Sequence, residues 1–373
     1  MAAFVVSPGA ARLGARPPSA VRRSAGDRAA STAAAARRRP AATPRMTVAA
    51  GASQLEQLSQ WTSVVADTGD VATIKRLSGQ LTDATTNPSL VAAAAEMEEY
   101  AGYVDDAVAF GKKHGGSSSE VLELVRDKLF VTFGSEILQH LKPEGVVSTE
   151  VDARLSFDVE GSIAKGEQLI QMYKDIGVPK ERVLIKLAST WEGVEACREL
   201  QKRGINCNMT LLFCAAQGAA AADAGAFLVS PFVGRILDWH KKARGVDSIP
   251  AAEDPGVLSV KDIYHSYKCH GAKTVVMGAS FRNKEEILEL AGCDRLTISP
   301  KLLDALAEST DPIERRLSQL SADECGIDDW KPTEKEFRWA LNEDACATEK
   351  LAEGIRGFTK DLIKLDKKLS GML

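Results

Sequence analysis

Cysteine is scarce in this chain: seven residues, odd in number, scattered, with no Cys-x-x-Cys pair. That usage points to reduced thiols and argues against a zinc knuckle or a disulfide framework. Histidine is scarcer still. His114, His140, His240, His265 and His270 show no metal-ligand spacing, so no metal is expected and a histidine base or metal-activated water is set aside. No apolar run approaches the ~18 residues of a membrane-spanning helix. No Gly-x-Gly-x-x-Gly follows the first predicted strand, which argues against a dinucleotide-binding doubly wound sheet. Repeats of solenoid type are also missing. The polar chemistry must therefore come from Lys, Asp, Glu, Asn and Thr.

The first fifty residues lack something different. They hold nine arginines and seventeen alanines but no lysine and a single acid, Asp27. Acid-poor, Arg-rich and Ser-bearing composition is the signature of an organelle transit peptide, and Phe4-Val5-Val6 is too short for a secretory h-region. Residues 1–50 are expected to be a disordered leader, with processing near Val48-Ala49-Ala50. The plastid stroma is the expected destination and the mitochondrion the alternative. Without the leader, 38 basic and 50 acidic residues remain, a net charge of −12. A body that acidic is a poor match for nucleic acid or an anionic membrane surface.

Residues 51–373 contain eight short runs of strand character, at 63–67, 83–87, 146–152, 183–190, 206–212, 227–231, 274–280 and 295–299. Most gaps carry helical periodicity. Residues 161–176 place Ile163, Leu169, Ile170 and Tyr173 on one face, and 283–291 and 301–307 behave alike. The stretch 90–145 reads as two or three helices. A long terminal helix over about 343–369 carries Leu351, Ile355, Phe358, Leu362 and Leu365 on one face. Gly115–Ser119 and Ala243–Gly256 read as loops. Eight strands alternating with helices predict an α/β fold, a single (β/α)8 TIM barrel with extra helices and the terminal helix packed over it.

One strand stands out. Val183-Leu184-Ile185-Lys186-Leu187-Ala188 is apolar on both faces except for its lysine. Burying an ammonium costs several kcal/mol unless its pKa falls, and a neutral buried amine suits Schiff-base chemistry on a carbonyl. A snorkelling lysine or a buried ion pair is the plainer reading. In a barrel the reactive groups gather at the carboxyl ends of strands. There this sequence offers Asp67, Asn87, Glu150, Lys186, Asn208, Thr210, Ser230 and Ser280. Each taken singly also reads as a helix cap, but together they describe a pocket of convergent polar groups. Arg235 and Arg282 follow two strand ends, each with a serine nearby. Two guanidinium forks and two hydroxyls match one phosphate, although either arginine alone also reads as a surface ion pair.

Over about 55–373 the chain resembles the transaldolases, in the longer subfamily of bacteria and eukaryotes. The resemblance rests on Val64–Asp70, Asp83–Leu90, Ser148–Arg154, Ile185–Gly193, Asn206–Phe213, Ser230–Trp239, Met277–Asn283 and Ala291–Asp294. It implies a cofactor-free enzyme acting on sugar phosphates, and it leaves a homodimer open. It implies that Lys186 forms an imine with a ketose phosphate and that Asp67 takes the C4 hydroxyl proton. Glu150 and Thr210 would move protons through a bound water. Asn87 and Asn208 would hold hydroxyls of the three-carbon fragment, and Ser230, Arg235, Ser280 and Arg282 the phosphate. Phe232 would border the imine and deny water a polar partner there, although one more aromatic in the core is the plainer reading. The reaction implied converts sedoheptulose 7-phosphate and glyceraldehyde 3-phosphate into erythrose 4-phosphate and fructose 6-phosphate.

Three places depart from the pattern: extra residues in the Ser78–Thr82 loop, Cys214-Ala215 for a usual Ser-Phe, and Leu341 for a usual histidine. None removes a catalytic residue. Two other functions stay open, an aldolase that releases dihydroxyacetone from fructose 6-phosphate and a barrel that binds sugar phosphate without turnover.

Overall fold

The computed structural model describes residues 51–318 and 329–373. The leader expected over 1–50 lies outside the described residues. Eight parallel strands close into a barrel in sequence order. They are β1 (Ser63–Asp67), β2 (Asp83–Thr85), β3 (Val147–Glu150), β4 (Val183–Ala188), β5 (Cys207–Leu212), β6 (Leu228–Pro231), β7 (Val275–Gly278) and β8 (Arg295–Ile298). β1 pairs with both β2 and β8, which removes the sheet edges. The predicted (β/α)8 barrel is the observed one.

Several strands end earlier than their apolar runs suggested, and helix capping is the reason. Asn87 leaves β2 to accept from the Leu90 amide, with Pro88 opening helix α3 (Pro88–Ala94). Thr190 likewise accepts from the Gly193 amide. The stretch 90–145 holds α3, then α4 (Ala101–His114) and α5 (Ser118–Gln139), which starts with a Ser117–Glu120 capping box. The tract read as a loop from Ala243 is shorter. α9 (Val233–Arg244) runs into it, Ala251–Glu253 forms a 3-10 turn, and α10 (Pro255–Cys269) takes Gly256. The terminal helix begins at Ala345, not 343, because Asp344 ends one helix, Glu334–Glu343, and caps the next.

Strand alternation divides the barrel interior into two levels. Val65, Val146, Leu184, Leu228 and Met277 form an apolar cluster of their own. Residues two apart share a strand face, so Val65 lies beneath Asp67, Leu184 beneath Lys186 and Leu228 beneath Ser230. The floor of the barrel is dry and its mouth is polar. Register completes the level: Glu150 pairs with Lys186, and Lys186 with Asn208.

The terminal helix α14 (Ala345–Ser370) lies over that mouth with Leu351, Ile355, Phe358, Leu362 and Leu365 buried. Ion pairs fasten it. Arg126 of α5 meets Asp366 at 2.8 Å and Asp152 at 3.0 Å, and Arg154 bridges Asp152 and Asp366 from the outside. The Ser89 hydroxyl donates to Asp361, and the Trp239 indole donates to Glu349 at 2.8 Å.

Cys197, Cys207, Cys214, Cys293 and Cys346 are free and buried. Cys269 is disulfide-bonded, so the expectation of reduced thiols throughout is corrected there. Cysteine spacing along a chain carries no information on which thiols approach each other. Among the described residues no helix is long and apolar enough to cross a membrane, and no cluster of His, Cys, Asp or Glu is arranged to hold a metal ion.

Arg126 is nearly inaccessible, and its loss would leave Asp152 and Asp366 facing each other with only Arg154 between them. Arg126→Ala should lower unfolding free energy by about 3 kcal/mol, the range for breaking a buried pair. Urea denaturation measures it. A loss under about 1 kcal/mol, the value of an exposed pair, would show that solvent already screens these charges.

Candidate active site

A cavity of about 70 Å³ opens at the carboxyl ends of the strands. Asp67, Asn87, Lys186, Thr210, Ser230, Phe232, Arg235 and Ser280 all line it. Glu150 and Asn208 flank Lys186 on the neighbouring strands, and Arg282 is hydrogen-bonded to Ser280 of the lining. The residues singled out from the sequence are therefore brought together.

Lys186 is buried in mid-strand. Its Nζ lies 3.1 Å from Glu150 Oε2 and donates to the Thr86 carbonyl at 3.2 Å. The ion-pair reading of this lysine thus describes its resting contacts, and the lysine itself lines the cavity. Burial pushes the Glu150 carboxyl up from its ordinary range, against the pull of Lys186 and Arg235. Asp67 is pushed up by the same cause, opposed by Lys186, a Thr85 hydrogen bond and Arg235. That hydrogen bond belongs to a relay. Thr85 Oγ1 donates to Asp67 Oδ1 at 3.1 Å and sits 2.7 Å from the Thr297 hydroxyl, which can donate to it in turn.

The amides and hydroxyls are less uniform than expected. Asn208 Nδ2 donates to Ser148 Oγ at 3.0 Å, and its Oδ1 accepts from Ser230 at 2.7 Å. Those bonds lock its orientation. Asn87 spends its carbonyl on the α3 cap, which leaves its Nδ2 as the group able to serve a ligand. Thr210 Oγ1 is fully enclosed and has no hydrogen-bond partner among the described residues. Glu150 Oε2 is enclosed too, and its contact with Lys186 is an ion pair without hydrogen-bond geometry. Buried polar atoms of that kind call for a guest.

The two arginines differ. Arg235, in the first turn of α9, stacks 4.9 Å from the Phe232 ring centre and 5.6 Å from that of Phe358. Burial and the nearby Arg282 lower its pKa, while Glu353, Glu150 and Asp67 act the other way. Arg282 is more exposed and is held by Asp238 at 2.7 Å, with Ser280 Oγ accepting from it at 3.3 Å. Ser280 carries a φ of 63°, a left-handed backbone that a serine adopts only at a cost of about 1–3 kcal/mol.

Phe358 was legible only as one apolar residue of the terminal helix. In the structure its ring forms part of the cavity roof, 5.9 Å from Lys186 Nζ. Its periodicity gave no sign of this role, because a residue that packs and a residue that roofs a site have the same spacing. Thr297 was missed as well; it lay inside a quoted strand run with nothing to mark it. Of the departures, Cys214 starts the next helix, where its amide donates to Gln217 Oε1 at 3.2 Å. Leu341 packs against the main core.

A profile of the Transaldolase/Fructose-6-phosphate aldolase family matches residues 64–369. The chain belongs to that family. A transaldolase of Shewanella amazonensis is 56% identical over 326 residues, covering 86% of this chain and 99% of its own length. Transaldolases of Methylobacillus flagellatus and Edwardsiella ictaluri are 54% and 53% identical, each again covering 86% of this chain and 100% and 99% of their own lengths. Family membership covers the whole barrel and the terminal helix, so the cavity belongs to the part of the chain that is shared.

Gly354 lets the roof descend. A Cβ there would stand 2.6 Å from Leu211 Cδ2 and 3.2 Å from Arg235 Nη1. Leu211 cannot easily yield, since it is buried with its backbone at φ 54°. Alanine is the better helix former by about 1 kcal/mol, yet Gly354→Ala should destabilise the chain by about 1–3 kcal/mol through overpacking. A variant with a melting temperature above that of the parent would show that the roof adjusts freely.

Proposed function

We propose that the chain transfers a dihydroxyacetone unit between sugar phosphates, as a cofactor-free class I transaldolase. The observation that carries this reading is Lys186 in the cavity lining, paired to Glu150 at 3.1 Å and sharing the lining with Asp67. Glu150, whose proton affinity is raised by burial, takes the ammonium proton and frees the amine to attack the ketone of sedoheptulose 7-phosphate. A carbinolamine forms. Its hydroxyl leaves as water once protonated, with Glu150 and Thr210 as the groups placed to move protons through a bridging water. The imine results. Asp67 removes the C4 hydroxyl proton, the C3–C4 bond breaks, and its electron pair passes into the iminium as an enamine. Erythrose 4-phosphate departs. The enamine then attacks the aldehyde of glyceraldehyde 3-phosphate, and hydrolysis of the new imine releases fructose 6-phosphate.

Other groups bind. Asn87 Nδ2 and the locked Asn208 hold hydroxyls of the three-carbon unit. Ser230, Arg235, Ser280 and Arg282 hold the phosphate. Phe232 packs edge-on to Phe213 beside the cavity and offers no donor or acceptor to a hydrolytic water. That favours transfer over release of free dihydroxyacetone, the aldolase alternative. We also propose that residues 1–50 are a transit peptide directing the enzyme to the plastid stroma. Acid-poor, Arg-rich composition supports a leader but does not by itself separate plastid from mitochondrion; sugar-phosphate interconversion is a plastid activity, and the leader's Ala, Ser and Pro content fits it. A fusion of residues 1–60 to a fluorescent protein reports the compartment, and exclusive mitochondrial signal would replace the plastid.

Borohydride treatment with fructose 6-phosphate should leave a reduced three-carbon adduct on the peptide carrying Lys186, read by mass spectrometry. Its absence in active enzyme would remove the imine mechanism. With acceptor present, transfer should exceed release of free dihydroxyacetone; the opposite ratio would move the assignment to aldolase.

The two arginines should not be equivalent. Arg235 has no ion-pair partner among the described residues, whereas Arg282 must share its fork with Asp238. A charge-assisted bond to phosphate contributes about 1.5–3 kcal/mol. Arg235→Ala should raise KM roughly 10- to 150-fold on that scale, and Arg282→Ala by less. Equal effects, or a loss confined to kcat, would count against this division.

A further inference from the structure

We infer that Asp254 and Glu286 form a buried carboxyl pair sharing one proton, and that this pair positions the Arg282 loop that grips the substrate's phosphate. The inference rests on the phosphate reading of Arg282 given above.

Both side chains are fully enclosed. Asp254 caps α10, where its Oδ1 accepts from the Gly256 amide at 2.7 Å. Its Oδ2 is buried without a hydrogen-bond partner among the described residues. The neighbour of Asp254 is the Glu286 carboxyl, on the short helix α11 (Lys284–Glu289). Glu286 is otherwise engaged with the loop itself. Its Oε2 accepts from the Arg282 amide at 2.7 Å and its Oε1 from Asn283 Nδ2 at 3.2 Å. Two ionised carboxylates here would set acceptor against acceptor and charge against charge in a low dielectric. A single proton between them gives the orphan oxygen its partner and leaves one charge in place of two.

The surrounding groups do not offer another solution. From α9, Asp238 adds a third carboxylate, which already holds the Arg282 guanidinium. From the loop, Arg282 supplies a cation that acts on Glu286. From α10, the hydrogen-bond partner of the Asp254 carboxyl is the Gly256 amide.

The loop needs such a clamp. Ser280 is held at φ 63°, and strained backbone persists only where its surroundings over-determine it. One constraint comes from α9, where the Gly234 amide donates to the Ser280 carbonyl at 2.9 Å. A Cβ on Gly234 would strike that oxygen at 2.4 Å and Arg282 Cγ at 2.7 Å. The other constraint is Glu286 on the Arg282 amide. Asp254 and Glu286 are thus positioning residues that act through Arg282 and Ser280.

Burial raises the Glu286 carboxyl from 4.5 to about 7, with Asp254 adding to the rise and the loop amides opposing it. Asp254 is raised too, chiefly by burial. For an acid whose folded pKa is raised, the stabilisation is complete below about 4.5 and is lost as pH rises through about 7. Above that range the pair carries two charges, its O–H···O link is gone, and the loop loosens. An anion on Arg282 would favour the protonated pair, so the pair should make anion affinity fall as pH rises.

Sulfate is the probe, because it stays dianionic over this range whereas phosphate esters titrate. Its dissociation constant is measured by calorimetry on the full chain at about pH 6 and about pH 8.5, either side of the pair's titration. For the parent chain it should rise roughly tenfold, the change given by one unit of linked ionisation. In Glu286→Gln the amide can donate to Asp254 while its oxygen accepts from Arg282, which keeps the link of the protonated pair without its titration and gives up only the acceptor for Asn283 Nδ2. Its sulfate affinity should stay tight and change by less than about twofold. At about pH 8.5, where the ester is dianionic for both proteins, KM for fructose 6-phosphate should be lower in Glu286→Gln than in the parent, while kcat should match. The same pH dependence in parent and Glu286→Gln overturns the inference, and so does failure of the parent chain to bind sulfate while its Lys186 still traps the ketose. Glu286→Ala, if it folds, should bind weakly at both pH values; tight binding would overturn the clamp. Loss of trapping with the sulfate pattern intact would overturn the transfer reading and leave this one standing.

Discussion

Lys186 can sit in mid-strand within the barrel because Glu150 lies 3.1 Å away on the neighbouring strand. A buried cation without such a partner would cost several kcal/mol. The pairing follows from register: Glu150 and Lys186 are opposite residues of β3 and β4, and Asn208 is opposite Lys186 on β5. Asp67 and Arg235 extend the same arrangement across the mouth, so that two acids face two bases in the enclosed site. Proton affinities follow from that enclosure. Both acids are pushed up by burial and pulled back by the cations, which keeps them able to exchange protons with a substrate.

The remaining architecture protects this balance. Below it, the apolar floor of Val65, Leu184, Leu228 and Met277 keeps the charges from water on the far side. Above it, Phe232 and Phe358 enclose the arginine and the lysine with rings rather than hydroxyls. Low dielectric strengthens each polar contact made inside. The roof belongs to a helix remote in sequence, held by the Arg126–Asp366 contact to α5 and by Asp152, which lies two residues past Glu150. The segment that bears a proposed catalytic acid and the segment that closes the site are thus fastened together.

The arginine end of the site obeys a different logic. Arg235 is stacked between rings and free of ion-pair partners among the described residues, while Arg282 is neutralised by Asp238. An arginine held ready on aromatic faces presents its fork without first breaking an ion pair. The Arg282 segment instead depends on strain at Ser280, on the close approach of Gly234 and on the amide contact to Glu286.

Much of this is legible in the order of the amino acids. Eight apolar runs separated by helical periods specify a barrel, because a parallel strand is buried on both faces and needs a helix to cross back. Polar residues at the ends of such runs can be recognised as a set, since apolar strands rarely end in so many convergent groups. Strand ends are misjudged where Asn87 and Thr190 are caps, because β-propensity does not register the competition from a side chain that bonds the next helix. Three things are decided only in the folded state. Phe358 becomes a roof residue through the path of α14 across the barrel, Thr297 joins Asp67 through Thr85, and Glu286 meets Asp254 across two helices. Each joins segments far apart in the chain. Local patterning determines which face of an element is apolar and where it stops, but the approach of one element to another depends on packing of the whole barrel.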